Sequence, residues 1–584
     1  MSSIAHTSDS ADQARLHHLF PLLLVVILPL APPEARGEGL AGAALSVALF
    51  TALRIGPLAR TWMTLALVLG AALALPAILL AEAPGAAVEP LAIWILAAAA
   101  GAASATLSPG QRRRQALFLA LAATASLVSL HALYQISGFP PITVAAGTVF
   151  EFRIASLSAL EQALAASPEL PDRELLLARL ATGRAFAAFS TPAALGGFLA
   201  LSLPVTVGLG FGAASSRRRV AWLLAAAIEL AGLLATASLS AAAALGAATI
   251  VACVRAPGLR RRLWMPGLIA LGILAAAVAL RGSEVTEASG AQHPLRLRAA
   301  NFRAALEVIA DHPWTGVGPG SFGEVYPQYR RTGDNETQHV HDLPLELGAE
   351  WGVPAGILGS ALFFWIFLGP LLGSRHDDEP PWVRGAAVGL GALGLQGLLD
   401  FTVLLPSLLW LAAILRGFIA RPGASARERS VTVAALGLAS VIGAATVAGL
   451  SGVAWNARVA ARELAHGGQT QQAEVLARRA ARLAPWNPDG WLYLATIVAG
   501  PRPDRLDEPR LIEATQAAER AVSLSPVRPG ARMTRARLRA AAGDAPGAYA
   551  DAAAAARLYP LRHEYAASRD ELAHRLVAAL AEPP

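Results

Sequence analysis

From residue 17 to residue 453 the chain is a succession of apolar runs separated by short charged turns, more than any soluble fold could bury. Runs approaching or reaching the roughly 20 residues that a spanning helix needs occur near 17–32, 40–55, 61–81, 88–108, 115–136, 187–212, 220–236, 238–254, 263–281, 353–373, 384–403, 406–420 and 430–453. The expected fold is therefore all-α, a polytopic membrane helical bundle of about 13 transmembrane helices. Composition agrees: 55% of the residues are hydrophobic, 15% are charged and the mean hydropathy is +0.48, which excludes a single soluble globule.

The formal charge of +7 is carried by arginine clusters between the apolar runs. Arg54 with Arg60, Arg112–Arg114, Arg217–Arg219, Arg260–Arg262, and Arg421 with Arg427 and Arg429 fall in alternate loops, where basic residues set topology. They are read as cytoplasmic loops, and no nucleic-acid partner is expected. Residues 1–16 then form a cytoplasmic segment, followed by a retained first helix rather than a cleaved signal peptide. The long loops 137–186 and 282–352 fall on the opposite, outer face, and an odd number of spans places residues 454–584 there too. The expected location is the cytoplasmic (inner) membrane, multi-pass, with these loops and the tail on the periplasmic side. The single cysteine, Cys253, lies in an apolar run and supports neither a disulfide nor a thiolate metal cluster.

The loop 282–352 is a hydrophilic island in this apolar sequence, and polar chemistry at a membrane rim marks a working site. It carries Arg296, Arg298 and Arg303, then HPWTGVGPGSF (312–322), then HVHDLPLELGAEWGVPAG (339–356). Cations with a titratable base point to an anionic substrate. Arginine suits phosphate because its planar guanidinium makes bidentate contacts and keeps its charge when partly desolvated. Arg184, just before a span on the outer face, is a second candidate cation. Histidine can take a proton near neutral pH; His341 is the expected base, with Asp342 or Glu346 to orient it and His339 beside it. His339 and His341 form an HxH pair without third and fourth ligands at zinc spacing, so no metal is expected. GVGPG lacks the lysine of a nucleotide loop and reads as a tight turn that brings backbone amides near the site, with no cofactor implied.

Beyond residue 454 the composition turns alanine- and arginine-rich. LARRAARLAPWNP, AAERAVSLSPVRP and AAAAARLYPLRHE align on Pro485, Pro526 and Pro560, and the second spacing, 34 residues, is the period of a tetratricopeptide helix pair. Residues 454–584 are expected to form a TPR-like helical-repeat domain of about three repeats. The tail holds none of the candidate catalytic groups, and a groove for a protein partner is its expected use.

Three segments in order resemble the O-antigen ligase and O-antigen polymerase-like membrane glycosyltransferases. GRAFAAFSTPAALGGFLALSLP (183–204) is similar to the family's arginine-led entry into a span, RLRAANFRAALEVIADHPWTGVGPGSF (296–322) to its arginine helix and glycine turn, and HVHDLPLELGAEWGVPAGILG (339–359) to its histidine segment. The chain departs from the family pattern at Ala193 and Asp342, where asparagines are usual, and LATASLSAAAAL (234–245) lacks a serine–arginine pair. The resemblance covers roughly residues 17–453. It implies transfer of glycan from a polyprenyl-diphosphate carrier to a hydroxyl acceptor on a lipid or glycan, on the outer face of the membrane. It assigns Arg184 and Arg298 to the diphosphate and His341 to deprotonation, with Arg296, Arg303, His339, Asp342 and Glu346 as further substrate contacts. A polymerase joining repeat units on the carrier is the alternative within the family. A lipid-linked sugar transporter would favour charged residues within spans, where Asp400 is the conspicuous one, and a non-catalytic anchor for the tail would not need the arginines and histidines.

Overall fold

The computed structural model describes residues 21–31, 37–52, 78–106, 111–137, 139, 142–146, 150–154, 156–165, 177, 180–255, 272, 294–373, 379–420 and 431–581. Residues 1–16, the expected spans 61–81 (save its last residues) and 263–281 (save residue 272), and the basic clusters at 54–60, 260–262 and 421–429 lie outside the described residues. The membrane part is built from α1 (Pro21–Leu30), α2 (Gly37–Ala52), α3 (Pro84–Thr106), α4 (Gln111–Ile136), α5 (Leu157–Ala165), α6 (Pro192–Phe211), α7 (Ser216–Ala235) and α8 (Leu239–Arg255). The polar island holds α9 (Pro294–Asp311) and α10 (Phe322–Tyr329), after which come α11 (Leu343–Leu372), α12 (Pro381–Gln396), α13 (Pro406–Ile419) and α14 (Val431–His466). Among the described residues, five helices are long and apolar enough to cross a membrane: Pro84–Ala105, Arg114–Ile136, Pro192–Phe211, Leu343–Leu372 and Ala435–His466. Four further apolar helices are shorter, Pro21–Leu30, Leu40–Leu49, Leu239–Arg255 and Pro406–Ile419. The chain is a helical, multi-pass membrane protein.

Two expectations need amending. The loop 137–186 contains an antiparallel hairpin, β1 (Ile142–Ala146) with β2 (Phe150–Ile154), registered Ile142 to Ile154 and Ala146 to Phe150. The fold is thus helical with one small two-stranded addition, where alternation too short to stand out in the sequence is fixed by pairing. The boundary drawn at residue 454 falls inside α14, which runs unbroken from Val431 to His466.

The described chain forms two compact units, residues 1–65, 96–287 and 361–438 in one, and 66–95, 288–360 and 439–584 in the other. In the first, α6 is the central helix, buried along most of its length, and α12 packs on it backbone to backbone. Gly385 and Gly389 face the carbonyls of Pro204 and Leu201 at a distance no Cβ could share, the small-residue contact by which helices associate in lipid. Thr191 caps α6 by accepting from the Ala194 amide, with Pro192 at the first helical position.

In the second unit the tail is a run of antiparallel helices: α15 (Thr470–Leu483), α16 (Pro488–Ala499), α17 (Glu508–Leu524), α18 (Pro529–Ala541), α19 (Ala545–Leu558) and α20 (His563–Ala581), each packed on the next. Alanines form the seams, Ala477, Ala481, Ala514 and Ala518 in one cluster and Ala536, Ala548, Ala552 and Ala555 in another. Pro485, Pro526 and Pro560 follow the ends of α15, α17 and α19, where a missing N–H costs no helical bond. The stack begins earlier than its composition: Ala454 packs with Ala480 and Ala484, and Ala461 with Ala477, so the end of α14 is its first helix.

Candidate active site

The island is organised around a break in α11. Gly352 has φ +76°, and residue 354 is proline, which has no N–H to give the carbonyl of Glu350. A broken helix leaves carbonyls and an amide that must be satisfied elsewhere. Residues 313–318 supply three partners: Val317 N–H donates to the Ala349 carbonyl (2.9 Å), Gly318 N–H to the Glu350 carbonyl (2.9 Å), and Val353 N–H to the Pro313 carbonyl (2.8 Å). A Cβ at Gly316 would collide with the Glu350 carbonyl, and one at Gly352 with the Trp314 carbonyl. The amides of Val317 and Gly318 are therefore spent on α11, and the turn expected from the glycines serves to close the break. The leg beyond the break turns Ile357, Leu358, Leu362 and Trp365 outward, 50–71% exposed, as a lipid-facing helix requires. Gly352→Ala is expected to cost about 1–3 kcal/mol, from positive φ and the clash with the Trp314 carbonyl. A thermal midpoint equal to wild type in detergent would contradict this account.

The break holds two carboxylates one turn apart on α11, Glu346 at 2% and Glu350 at 8% exposure. Glu350 accepts from the Phe322 amide (3.4 Å) at the start of α10. Glu346 Oε1 lies 2.5 Å from His339 Nδ1, and its Oε2 is buried without a hydrogen bond. Among the described residues no group of three His, Cys, Asp or Glu side chains is arranged to hold a metal.

His341 sits two residues on, half-buried, with φ +68°, a conformation rare for a side-chain-bearing residue and associated with functional sites. Between the histidines Val340 is fully buried in the island core, beside Val325, Tyr326 and Ala349. Asp342 does what an N-cap does: its Oδ1 accepts from the Leu345 amide (2.9 Å) and its carbonyl from Glu346 N (2.9 Å). The expected orienting roles are thus redistributed: Glu346 engages His339, and Asp342 caps α11. Burial lifts the Asp342 pKa above its ordinary value, and nearby Glu346 adds to this while the Leu345 amide opposes it. An acid with a raised folded pKa is penalised as pH rises through that pKa. Asp342→Asn keeps the cap acceptor without the charge, so it is expected to match or exceed the wild-type melting temperature at pH 8, the difference vanishing by pH 4. A less stable asparagine variant at pH 8 would show that the buried charge of Asp342 is not penalised there.

The arginines divide into two kinds. Arg303 is committed within the island: Nη1 holds Glu307 (2.9 Å), Nη2 holds Asp334 (2.7 Å), and both reach the Tyr329 carbonyl (3.3 Å). Expected as a substrate contact, it serves as a brace between α9 and the loop after α10, since two carboxylates and a carbonyl occupy its fork. Arg298 is half-buried and Arg296 exposed on the first turns of α9. Arg184 belongs to the first unit, where its Nε donates to the Thr236 carbonyl at the end of α7 (2.8 Å). The segment around it is folded by Gln135, whose carboxamide oxygen takes the amides of Phe186 (3.0 Å) and Ala187 (2.7 Å). The structure brings His339, His341, Asp342 and Glu346 together in one unit that also contains Arg296, Arg298 and Arg303.

Two residues passed unremarked in the sequence. Glu350 could have been found from the Glu-x₃-Glu spacing just before a Gly-x-Pro break. Glu229, fully buried and bound by Thr206 (2.6 Å), Ser202 (3.3 Å) and Ser126 (3.5 Å), was hidden because its hydroxyl partners lie on other helices.

Residues 220–359 match the sequence model of the O-antigen ligase family. The matched region takes in α7, α8, the island, Arg298, His339, His341 and the break in α11; Arg184 lies before it. No curated protein matches the chain.

Proposed function

We propose that this membrane protein is a glycosyltransferase of the O-antigen ligase type, moving glycan from a polyprenyl-diphosphate carrier to a hydroxyl acceptor at the outer face of the cytoplasmic membrane. The observation that carries the reading is the histidine loop seated on a broken spanning helix inside the region that matches the O-antigen ligase family. Such a donor has a buried lipid, a charged diphosphate at headgroup depth and a glycan in water, so a base and cations at a membrane rim meet its reacting end. His341 takes the acceptor hydroxyl proton as its oxygen bonds to the anomeric carbon. The bond from that carbon to the diphosphate oxygen breaks, and the electron pair leaves with the polyprenyl diphosphate. Arg298 and Arg184 hold that growing charge, an electrostatic contribution that is usually the largest in catalysis. Arg296 lies within reach of solvent for the same anion, and His339 with Glu346 contacts substrate beside His341. The diphosphate bond already activates the sugar, so no cofactor is needed. Residues 454–584 are read as a tetratricopeptide-like domain facing the same compartment.

The test is reconstitution of the full-length protein in proteoliposomes with a polyprenyl-diphosphate-linked oligosaccharide and a hydroxyl acceptor. Release of polyprenyl diphosphate together with acceptor-linked glycan supports the reading, whereas glycan lengthened on the carrier indicates a repeat-unit polymerase. Neither product from folded, inserted protein would remove transfer from this chain.

A further inference from the structure

The tail does not stand apart from the island. Within the second unit it meets the loop that carries the histidines at two places. At the first, Arg330, the residue after α10, spreads its guanidinium over three partners: Nε and Nη2 donate to the Asp334 carbonyl (3.0 and 2.8 Å), while Nη1 donates to Glu336 Oε1 (3.1 Å) and to the Tyr559 hydroxyl. The Tyr559 hydroxyl in turn donates to Glu336 Oε1 (2.5 Å), and the Arg330 guanidinium lies 5.8 Å from the Tyr559 ring centre. Tyr559 follows the end of α19, far along the tail, and is 8% exposed. At the second, Arg528 in the turn before α18 clasps Glu324 of α10 through Nε (2.9 Å) and Nη2, and Ser525 Oγ donates to the same carboxylate (3.1 Å). Arg528 also reaches Asp489, so one guanidinium ties two tail helices to α10.

These contacts differ in weight. Glu336 is 75% exposed, so its ion pair with Arg330 alone contributes little, and the weight of this contact lies in the buried Tyr559 hydroxyl that bonds both. Arg528 and Glu324 are 18% and 13% exposed, and removing Arg528 leaves the largely desolvated Glu324 carboxylate without its cation. Apolar contact joins them: Val527 belongs to the island core cluster with Phe322, Val325, Tyr326 and Val340, and Leu558 packs against it. Val340 is the residue between His339 and His341. The same core therefore holds both the histidine segment and the tail turn.

We infer that the C-terminal helical domain is a positioning element of the histidine loop, Tyr559 fixing residues 330–336 and Arg528 fixing α10, so that the loop reaches its working conformation only with the tail docked. Expected from sequence as a module for a partner, the tail becomes part of the scaffold of its own site. The kinetic half of this inference rests on the transfer reading above; the structural half does not.

The experiment uses the full-length protein in detergent and in proteoliposomes, with Tyr559→Phe and Arg528→Met, and with a stop after His466. Tyr559→Phe deletes one hydroxyl and keeps the ring, leaving α19 packed. A charge-assisted pair of hydrogen bonds is worth roughly a tenfold change in local opening. Hydrogen exchange of residues 330–342 should therefore quicken by about that factor in Tyr559→Phe, with exchange in α17 and α19 unchanged. In transfer assays the same variant should lose roughly tenfold in kcat with the donor KM held, since positioning of a base acts on the chemical step. Arg528→Met should quicken exchange in α10 as well, and the truncation should do both. Wild-type exchange in 330–342 for Tyr559→Phe, or wild-type turnover from a folded, inserted truncation, would overturn the inference. If the wild-type protein transfers no glycan, the exchange comparison still decides the structural half, and the failure belongs to the function alone.

Discussion

Alanine in place of His341 is expected to lower glycan transfer by about 10²–10⁴-fold, the usual cost of losing a general base. Alanine adds only a small backbone cost to the one histidine already bears at φ +68°, and Val340 and the Asp342 cap keep the loop seated. Donor affinity should hold, because the proposed role is confined to the proton. His339→Ala provides the contrast: it removes the partner of buried Glu346 and exposes a second unpaired oxygen, so it should cost stability as well as rate. Single-turnover transfer and donor binding measured together on both variants separate the two. Near-wild-type turnover in His341→Ala with loss in His339→Ala would move the base two residues upstream.

Arg298→Lys and Arg184→Lys should both lose about 10- to 1,000-fold in transfer despite keeping the charge, because lysine cannot make the paired contact that guanidinium makes to a diphosphate. Arg184 carries a further demand. Its Nε is already used on the Thr236 carbonyl, which aims the side chain from the end of α7, and lysine, with its donors on one terminal nitrogen, has no second nitrogen for that bond. Arg303→Lys is expected instead to act on the fold, through loss of its fork on Glu307 and Asp334. Melting temperature and donor affinity measured on the three variants distinguish a cation that meets substrate from one that braces the loop. Fully active Arg298→Lys and Arg184→Lys proteins would put the diphosphate elsewhere.

What could be read in advance follows the range of the interactions. Apolar runs report helices directly, since the bilayer leaves the backbone no other partner, and α3, α4, α6 and the leg of α11 after Gly352 lie where the runs are. The island stood out by contrast of composition, and its histidines and arginines by chemistry. The sequence did not disclose pairings between segments distant in the chain. Glu346 sits five residues from His341 and seven from His339, and only the turn of α11 decides which it meets. The glycines of 316–320 signalled a turn, but that its amides would close a helix break depended on Gly352 and Pro354 a turn beyond Glu350. The tail looks separate in sequence because its seams are local alanines, while Arg528 and Tyr559 look like ordinary repeat residues until Glu324 and Glu336 are placed beside them.

The unbroken course of α14 has a geometric corollary. Its 36 residues make a rod of roughly 54 Å against a hydrocarbon core of about 30 Å, so the rod works as a mast as well as a span. No loop intervenes between the last crossing and the first seam of the stack at Ala454. Each residue added to or removed from the mast turns everything above it by about 100° and shifts its height by about 1.5 Å. Length here is phase: two homologous chains whose rods differ by about two residues would present nearly opposite sides of their stacks, whereas a change of about seven residues, close to two full turns, would raise the stack and leave its bearing nearly unchanged.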